Sequence, residues 1–235
     1  VLGTVLVYGF AARPLARALR VDMPEPTGVV VVGSRPWARA FSSTLAGVGV
    51  PTLLVAEGDD AAEAAIADGL LVYRGRLDHQ ELAEAFDATG TRWVLVGSDQ
   101  DALDETVAEV TARHLGSSRL WRVARDLGQH QHLDETAVEG RVAFRGLTQD
   151  DLDDALAKGG AFLHITAEER RDGDLGMVGL TADTVPELLA ADDVWPGDRL
   201  VVLRHPAERE TDDAVSDQTK TLDAADPDPE PHVAD

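Results

Sequence analysis

The chain contains no cysteine, which excludes a disulfide framework, a thiolate metal site and a cysteine nucleophile. Lysine is nearly absent as well: of 21 basic residues, only Lys158 and Lys220 are not arginine. Acidic residues number 43, giving a formal net charge of -22. A nucleic-acid surface needs clustered Lys and Arg against the phosphates, so this composition argues against one. A single local basic group can still hold a phosphate. What the chain does have is apolar mass: 44% of its 235 residues are hydrophobic, enough for a core in one ordinary domain, with a second small module and tails.

The two ends differ from the middle. Val1 to Ala12 (VLGTVLVYGFAA) carries no charge and is followed by Arg13, Arg17 and Arg20. As a helix it covers about 18 Å, short of the roughly 30 Å of a hydrocarbon core. Three readings apply: a signal-peptide core with its basic residues on the wrong side, an amphipathic helix packed on the domain, or the end of a transmembrane helix. The arginines at a cytoplasmic exit favour the third, so residues 1–21 are expected to be the truncated end of a last transmembrane helix. Residues 22–28, with Pro24 and Pro26, read as a linker. Residues 207–235 have no apolar period and close on Asp226-Pro-Asp-Pro-Glu-Pro231, which predicts a disordered acidic tail.

Between them lies a repeating pattern. Val29-Val-Val-Val32 is the β-branched run of a strand buried on both faces. A helix follows to about Val48, with Trp37, Phe41, Leu45 and Val48 on one stripe and Pro36 in its first turn. Strands are predicted at Thr52–Val55, Leu70–Tyr73, Trp93–Val96 and Arg119–Val123, with helices at Ala61–Asp68, Asp78–Ala88 and Asp101–Leu115. Alternation of this kind over residues 29–126 predicts an α/β domain with a Rossmann-like, doubly wound parallel sheet. After a linker at 127–139, residues 140–206 read as a small α+β module. Its expected parts are a strand at Arg141–Arg145, a helix at Thr148–Lys158 capped by Thr148, and a strand at Gly160–Thr166. Short strands and a turn over Gly176–Leu180, Asp192–Trp195 and Pro196–Leu203 complete it.

Ligands on doubly wound sheets sit beyond the carboxyl ends of the strands. That brings Gly33, Ser34, Arg35, Ala38, Glu57, Gly75, Arg76, Gly97 and Ser98 to one crevice as candidate cofactor-binding residues. The phosphate loop departs from G-x-G-x-x-G: Arg35 stands at the second glycine and Ala38 at the third. A side chain at Arg35 obstructs the usual backbone approach, while its guanidinium is suited to grip a phosphate at the helix N-terminus. The ribose-binding acid falls at Ala56 or Glu57, and an empty, vestigial crevice fits the same loop. No catalytic residues emerge. His130 and His132 lack a third metal ligand, His164 reads as a half-buried strand residue, and Ser98-Asp99 has no G-x-S-x-G elbow, so neither a metal site nor a hydrolase is expected.

In order, the chain shows V-Y-G-F-A-A-R-P-L-A-R, a Pro linker, V-V-V-V-G-S-R-P-W-A-R-A with its Rossmann unit, and P-G-D-R-L-V-V-L near the end. This resembles the cytoplasmic C-terminal region of bacterial monovalent cation/proton antiporters of the sodium/proton exchanger type. Those carry a domain similar to the regulators of potassium conductance (RCK) and of Trk-type potassium uptake (TrkA-N). The resemblance implies a non-catalytic, dimerising regulatory region on the cytoplasmic face of the cell membrane. It implies NAD(H) or an adenine nucleotide as cofactor, and as partners a transport domain of the same polypeptide and a second copy. Gly33 and Ala38 match the nucleotide fingerprint; Arg35 replaces its glycine, and Arg76 stands where such domains often have an acid. Two other readings stay open, a soluble nucleotide-dependent oxidoreductase and a free-standing potassium-uptake regulatory subunit.

Overall fold

A computed structural model describes residues 25–74, 78–126, 141–144, 147–189, 195 and 197–205. The expected transmembrane end at 1–21, residues 22–24 of the linker at 22–28, Gly75, Arg76, the linker at 127–139 with His130 and His132, and the tail at 207–235 lie outside the described residues, as do Asp192 to Val194 and Pro196. Among the described residues, no helix is long and apolar enough to cross a membrane.

The first half of the chain alternates strictly. Strand β1 (Gly28–Val32) leads to helix α1 (Pro36–Gly47), β2 (Thr52–Val55) to α2 (Asp59–Ala67), and β3 (Leu71–Tyr73) to α3 (His79–Thr89). Then come β4 (Thr91–Val96), α4 (Asp101–His114), a 3-10 turn at Ser117–Arg119 and β5 (Leu120–Arg122). All pair in parallel in the order β3-β2-β1-β4-β5, so the chain reverses direction across the sheet between β1 and β4. This is the Rossmann-like doubly wound sheet that the alternation predicts.

Strand geometry explains why the valines of β1 are all needed. Successive side chains point to opposite faces. Val30 and Val32 pack with Leu82 and Phe86 of α3 and with Leu103, Val107 and Val110 of α4. Val29 and Val31 join Trp37, Phe41 and Leu45 of α1 on the other face. Every residue of β1 is buried, as a central parallel strand requires.

The second half corrects one boundary. The strand expected at Arg141–Arg145 within the small module is β6 (Arg141–Val142), which pairs in parallel with β5 and becomes the sixth strand of the first sheet. The reason lies at the sheet edge. Ala143 N–H donates to Arg122 O at 2.8 Å, and the Arg141 guanidinium sits 4.6 Å above the ring of its cross-strand partner Trp121.

Helix α5 (Gln149–Ala157) follows, then an antiparallel sheet of β7 (Ala161–Thr166), β8 (Leu175–Leu180), β9 (Pro186–Leu188) and β10 (Arg199–Arg204), ordered β7-β10-β8-β9. Strand β9 is an addition to the sequence reading. Its proline is tolerable because β9 lies at the sheet edge. The apolar core does not stop between the sheets: Phe41, Leu152 and Phe162 belong to one cluster with Val29, Met177, Val201 and Leu203. Phe41 meets Phe144 and Phe162 edge-on, with ring centroids 5.4 and 5.3 Å apart.

Candidate functional site

The candidate site lies where β1 and β4 end, the point at which the strand order reverses and ligands on such sheets are expected. Two glycines lie there. Gly33 has φ of +138°, and a Cβ there would stand 2.4 Å from the carbonyl oxygen of Gly97. A Cβ on Gly97 would meet Cζ2 of Trp37 at 2.4 Å. The ends of β1 and β4 are therefore in contact through backbone, and the ring of Trp37 from the first turn of α1 fills the space against Gly97, with no room for a Cβ at either glycine.

Of the residues the sequence brings to this crevice, Gly33, Ser34, Arg35, Ala38, Glu57, Gly97 and Ser98 are described. Ser34 Oγ accepts from Glu57 N–H at 2.6 Å and donates to Glu57 O at 3.4 Å, joining the ends of β1 and β2. Glu57 Oε1 accepts from Asp99 N–H at 3.0 Å. Glu57, rather than Ala56, thus presents its side chain to the crevice, and Ala56 packs against the core. Ala38 is fully buried in α1, with its N–H donated to Arg35 O at 3.1 Å. Ser98 is also buried; its hydroxyl donates to the Asp104 carboxylate and accepts from Gln100 N–H at 3.1 Å, so it braces the start of α4. Arg125 closes that brace, with Nε donating to Ser98 O at 3.0 Å and a terminal nitrogen 2.7 Å from Asp101 and 3.4 Å from Asp104. Burial pushes the Asp104 carboxyl above the usual range, against the pull of Ser98 and Arg125.

Arg35 is the centre of the site. Its Nε lies 3.1 Å from both carboxylate oxygens of Asp99, and one terminal nitrogen lies 2.6 Å from Asp150 and 3.4 Å from Asp153. Hydrogen bonding from Asp99 raises the guanidinium pKa well above its ordinary value, so the group is permanently charged. The position that the sequence assigns to a phosphate is thus filled by carboxylates of this chain. The helix end tells the same story. Arg35 caps α1 without a side-chain bond of its own, and the N–H of Trp37 donates to Asp153 Oδ1 at 2.9 Å. Burial pushes the Asp153 carboxyl upward, partly offset by the Trp37 N–H and by Arg35.

Asp99, Asp150 and Asp153 are the site residues that the sequence reading misses. Asp150 and Asp153 are three apart on α5, so one helix face carries both. The one signal in the sequence was an acid-rich helix, and a solvated face explains that equally well. Among the described residues, no group of three or more His, Asp or Glu is arranged to hold a metal ion.

No protein-family model matches the chain, and no curated protein matches it. Among solved structures, it is similar to the crystal structure of the GsuK RCK domain, at 14% identity and a TM-score of 0.39. That match covers 78% of this chain and 45% of the other, so the chain spans less than half the length of that structure.

Proposed function

We propose that the chain is the regulatory, non-catalytic region of a membrane sodium/proton or potassium/proton antiporter. It works as a homodimer at the cytoplasmic face and biases a transport domain of the same polypeptide. The observation that carries this reading is the order of its parts: the arginine-flanked apolar segment ending at Arg20, the Pro linker, the Rossmann unit opening at Val29 and the closing P-G-D-R-L-V-V-L sequence that leads into β10. Support for a non-catalytic role comes from the described charged groups of the crevice, which are engaged within the chain. Arg35 is engaged by Asp99, Asp150 and Asp153, and Glu57 is bound to the main chain of Asp99. NAD(H) or an adenine nucleotide is the ligand class this crevice would sense.

The test uses the complete gene product in everted membrane vesicles. Collapse of an imposed pH gradient on adding sodium or potassium is compared with that of the same protein ended at Arg20. Transport whose rate or cation dependence changes on removing the region supports the reading. Absence of cation-driven proton movement, or identical transport with and without the region, overturns it.

A further inference from the structure

Two groups in the crevice are suited to an anion, and each already holds one from elsewhere in the chain. Trp37 is the second residue of α1, so its N–H has no partner inside the helix and points out at the positive end of the helix dipole. Asp153 supplies the acceptor at 2.9 Å. Arg35 offers a planar fork of donors, and Asp150 takes its outer nitrogen at 2.6 Å. Asp153 touches both groups, since its second oxygen lies 3.4 Å from the same guanidinium nitrogen. Two carboxylates one helical turn apart thus cover the ground that a phosphoryl group would cover.

Other groups hold α5 in place. Leu152 and Ala155 are buried in the shared core. Gln149 N–H donates to Ala124 O at 2.8 Å, and its side-chain amide donates to Val123 O at 3.3 Å. The first turn is closed by a capping box between Thr148 and Asp151. Neither Asp150 nor Asp153 takes part in that anchoring. Their carboxylates also work against any other anion: with Asp99 they place three acids around one guanidinium.

We propose that Asp150 and Asp153 are a built-in competitor for a phosphoryl anion, occupying its position at Arg35 and the α1 N-terminus so that ligand enters only when they give way. The latch rests on the reading of this crevice as a sensing site. The two fail differently, because the latch is read by binding to the isolated chain and the regulatory role by transport.

The experiment titrates inorganic pyrophosphate and ADP, by calorimetry, into the full 235-residue chain and its variants. In the double variant Asp150→Asn/Asp153→Asn, removing like charge is expected to tighten binding of at least one probe about tenfold or more over the unaltered chain. Adding Arg35→Gln is expected to abolish the gain. A larger gain for ADP identifies a nucleotide as the ligand, and an equal gain identifies the phosphoryl group alone. Asp153→Asn by itself keeps an Oδ1 acceptor for Trp37 and provides the same reading should the double variant fold poorly. Binding of both probes no tighter in these folded variants than in the unaltered chain, or a gain that survives Arg35→Gln, overturns the proposal.

Discussion

The main-chain N–H of Trp37 donates a 2.9 Å hydrogen bond to Oδ1 of Asp153, a residue 116 positions further along the chain. Through this bond the second half of the molecule caps the first helix of the first half. Asp153→Ala leaves a helix-terminal donor without its partner, at an expected cost of about 1–3 kcal/mol. Asp153→Asn should cost much less, because its amide oxygen still accepts. Urea denaturation of the two variants checks the order; equal losses would mean that the carboxylate charge, and not the cap, is what matters.

Packing above the crevice gives a second prediction. Gly97→Ala drives a Cβ into the ring of Trp37, a rigid side chain that is fully buried. Overpacking of this kind costs about 1–3 kcal/mol. Gly33→Ala should be worse, since it meets the backbone carbonyl of Gly97 and must also hold φ of +138°. Thermal melts of both variants are the measurement, and a Gly33→Ala protein as stable as the parent would contradict the close approach of β1 and β4.

Phe41 is the point where the two sheets share a core. Its ring contacts Phe144 from the β6 segment and Phe162 from β7. Phe41→Ala is expected to destabilise the protein by about 3–5 kcal/mol. Unfolding followed separately by tryptophan fluorescence and far-ultraviolet circular dichroism should remain a single coincident transition, moved to lower denaturant.

Acid sensitivity has a definite sign. Arg204 holds the Asp174 carboxyl below its ordinary pKa of 3.8, donating to one carboxylate oxygen at 2.8 Å and to the other at 2.7 Å. The Thr148 main chain and hydroxyl do the same for Asp151. A depressed folded pKa contributes stability that is fully present above 3.8 and fades as pH falls through the folded value. Asp104 and Asp153, raised by burial, act in the opposite sense, their charged forms being penalised by the fold as pH rises. Asp174→Asn should therefore be less stable than the parent at pH 7, with the gap narrowing below about 3.8. Denaturation at pH 7 and between pH 4 and 2 checks it; a gap that stays constant would mean that the ion pair adds nothing.

Much of the first sheet was legible because its physics is local. Four consecutive β-branched residues admit little but a buried strand, and Thr148 followed three residues later by Asp151 marks a helix start that the structure reproduces with its capping box. The meeting of the β1, β2 and β4 ends was legible, since Ser34 bonds Glu57, Glu57 accepts from Asp99 N–H and Gly33 lies against Gly97. The partners of Arg35 were not. Asp150 and Asp153 reach Arg35 only through the tertiary position of α5, more than a hundred residues away in sequence. An acidic helix face by itself says nothing about which arginine it meets. The sheet that β6 joins escaped for a similar reason: the strand itself was expected, but with two residues its membership in one sheet or the other depends on which edge is bare.

Strand β6 and the shared aromatic cluster also bear on how the molecule comes into being. Val29 and Leu203 belong to the same buried cluster, and the edge of β5 is covered by residues that follow it in the chain. On the ribosome, where synthesis runs from the first residue onward, the Rossmann half emerges with one face of β1 closed by α3 and α4 and the other by α1, whose outer side still lacks Leu152, Phe162, Met177 and Leu203. That side of α1 is completed only when the last strand of the second sheet has been made, so Trp37 and Phe41 gain their full cover late in synthesis.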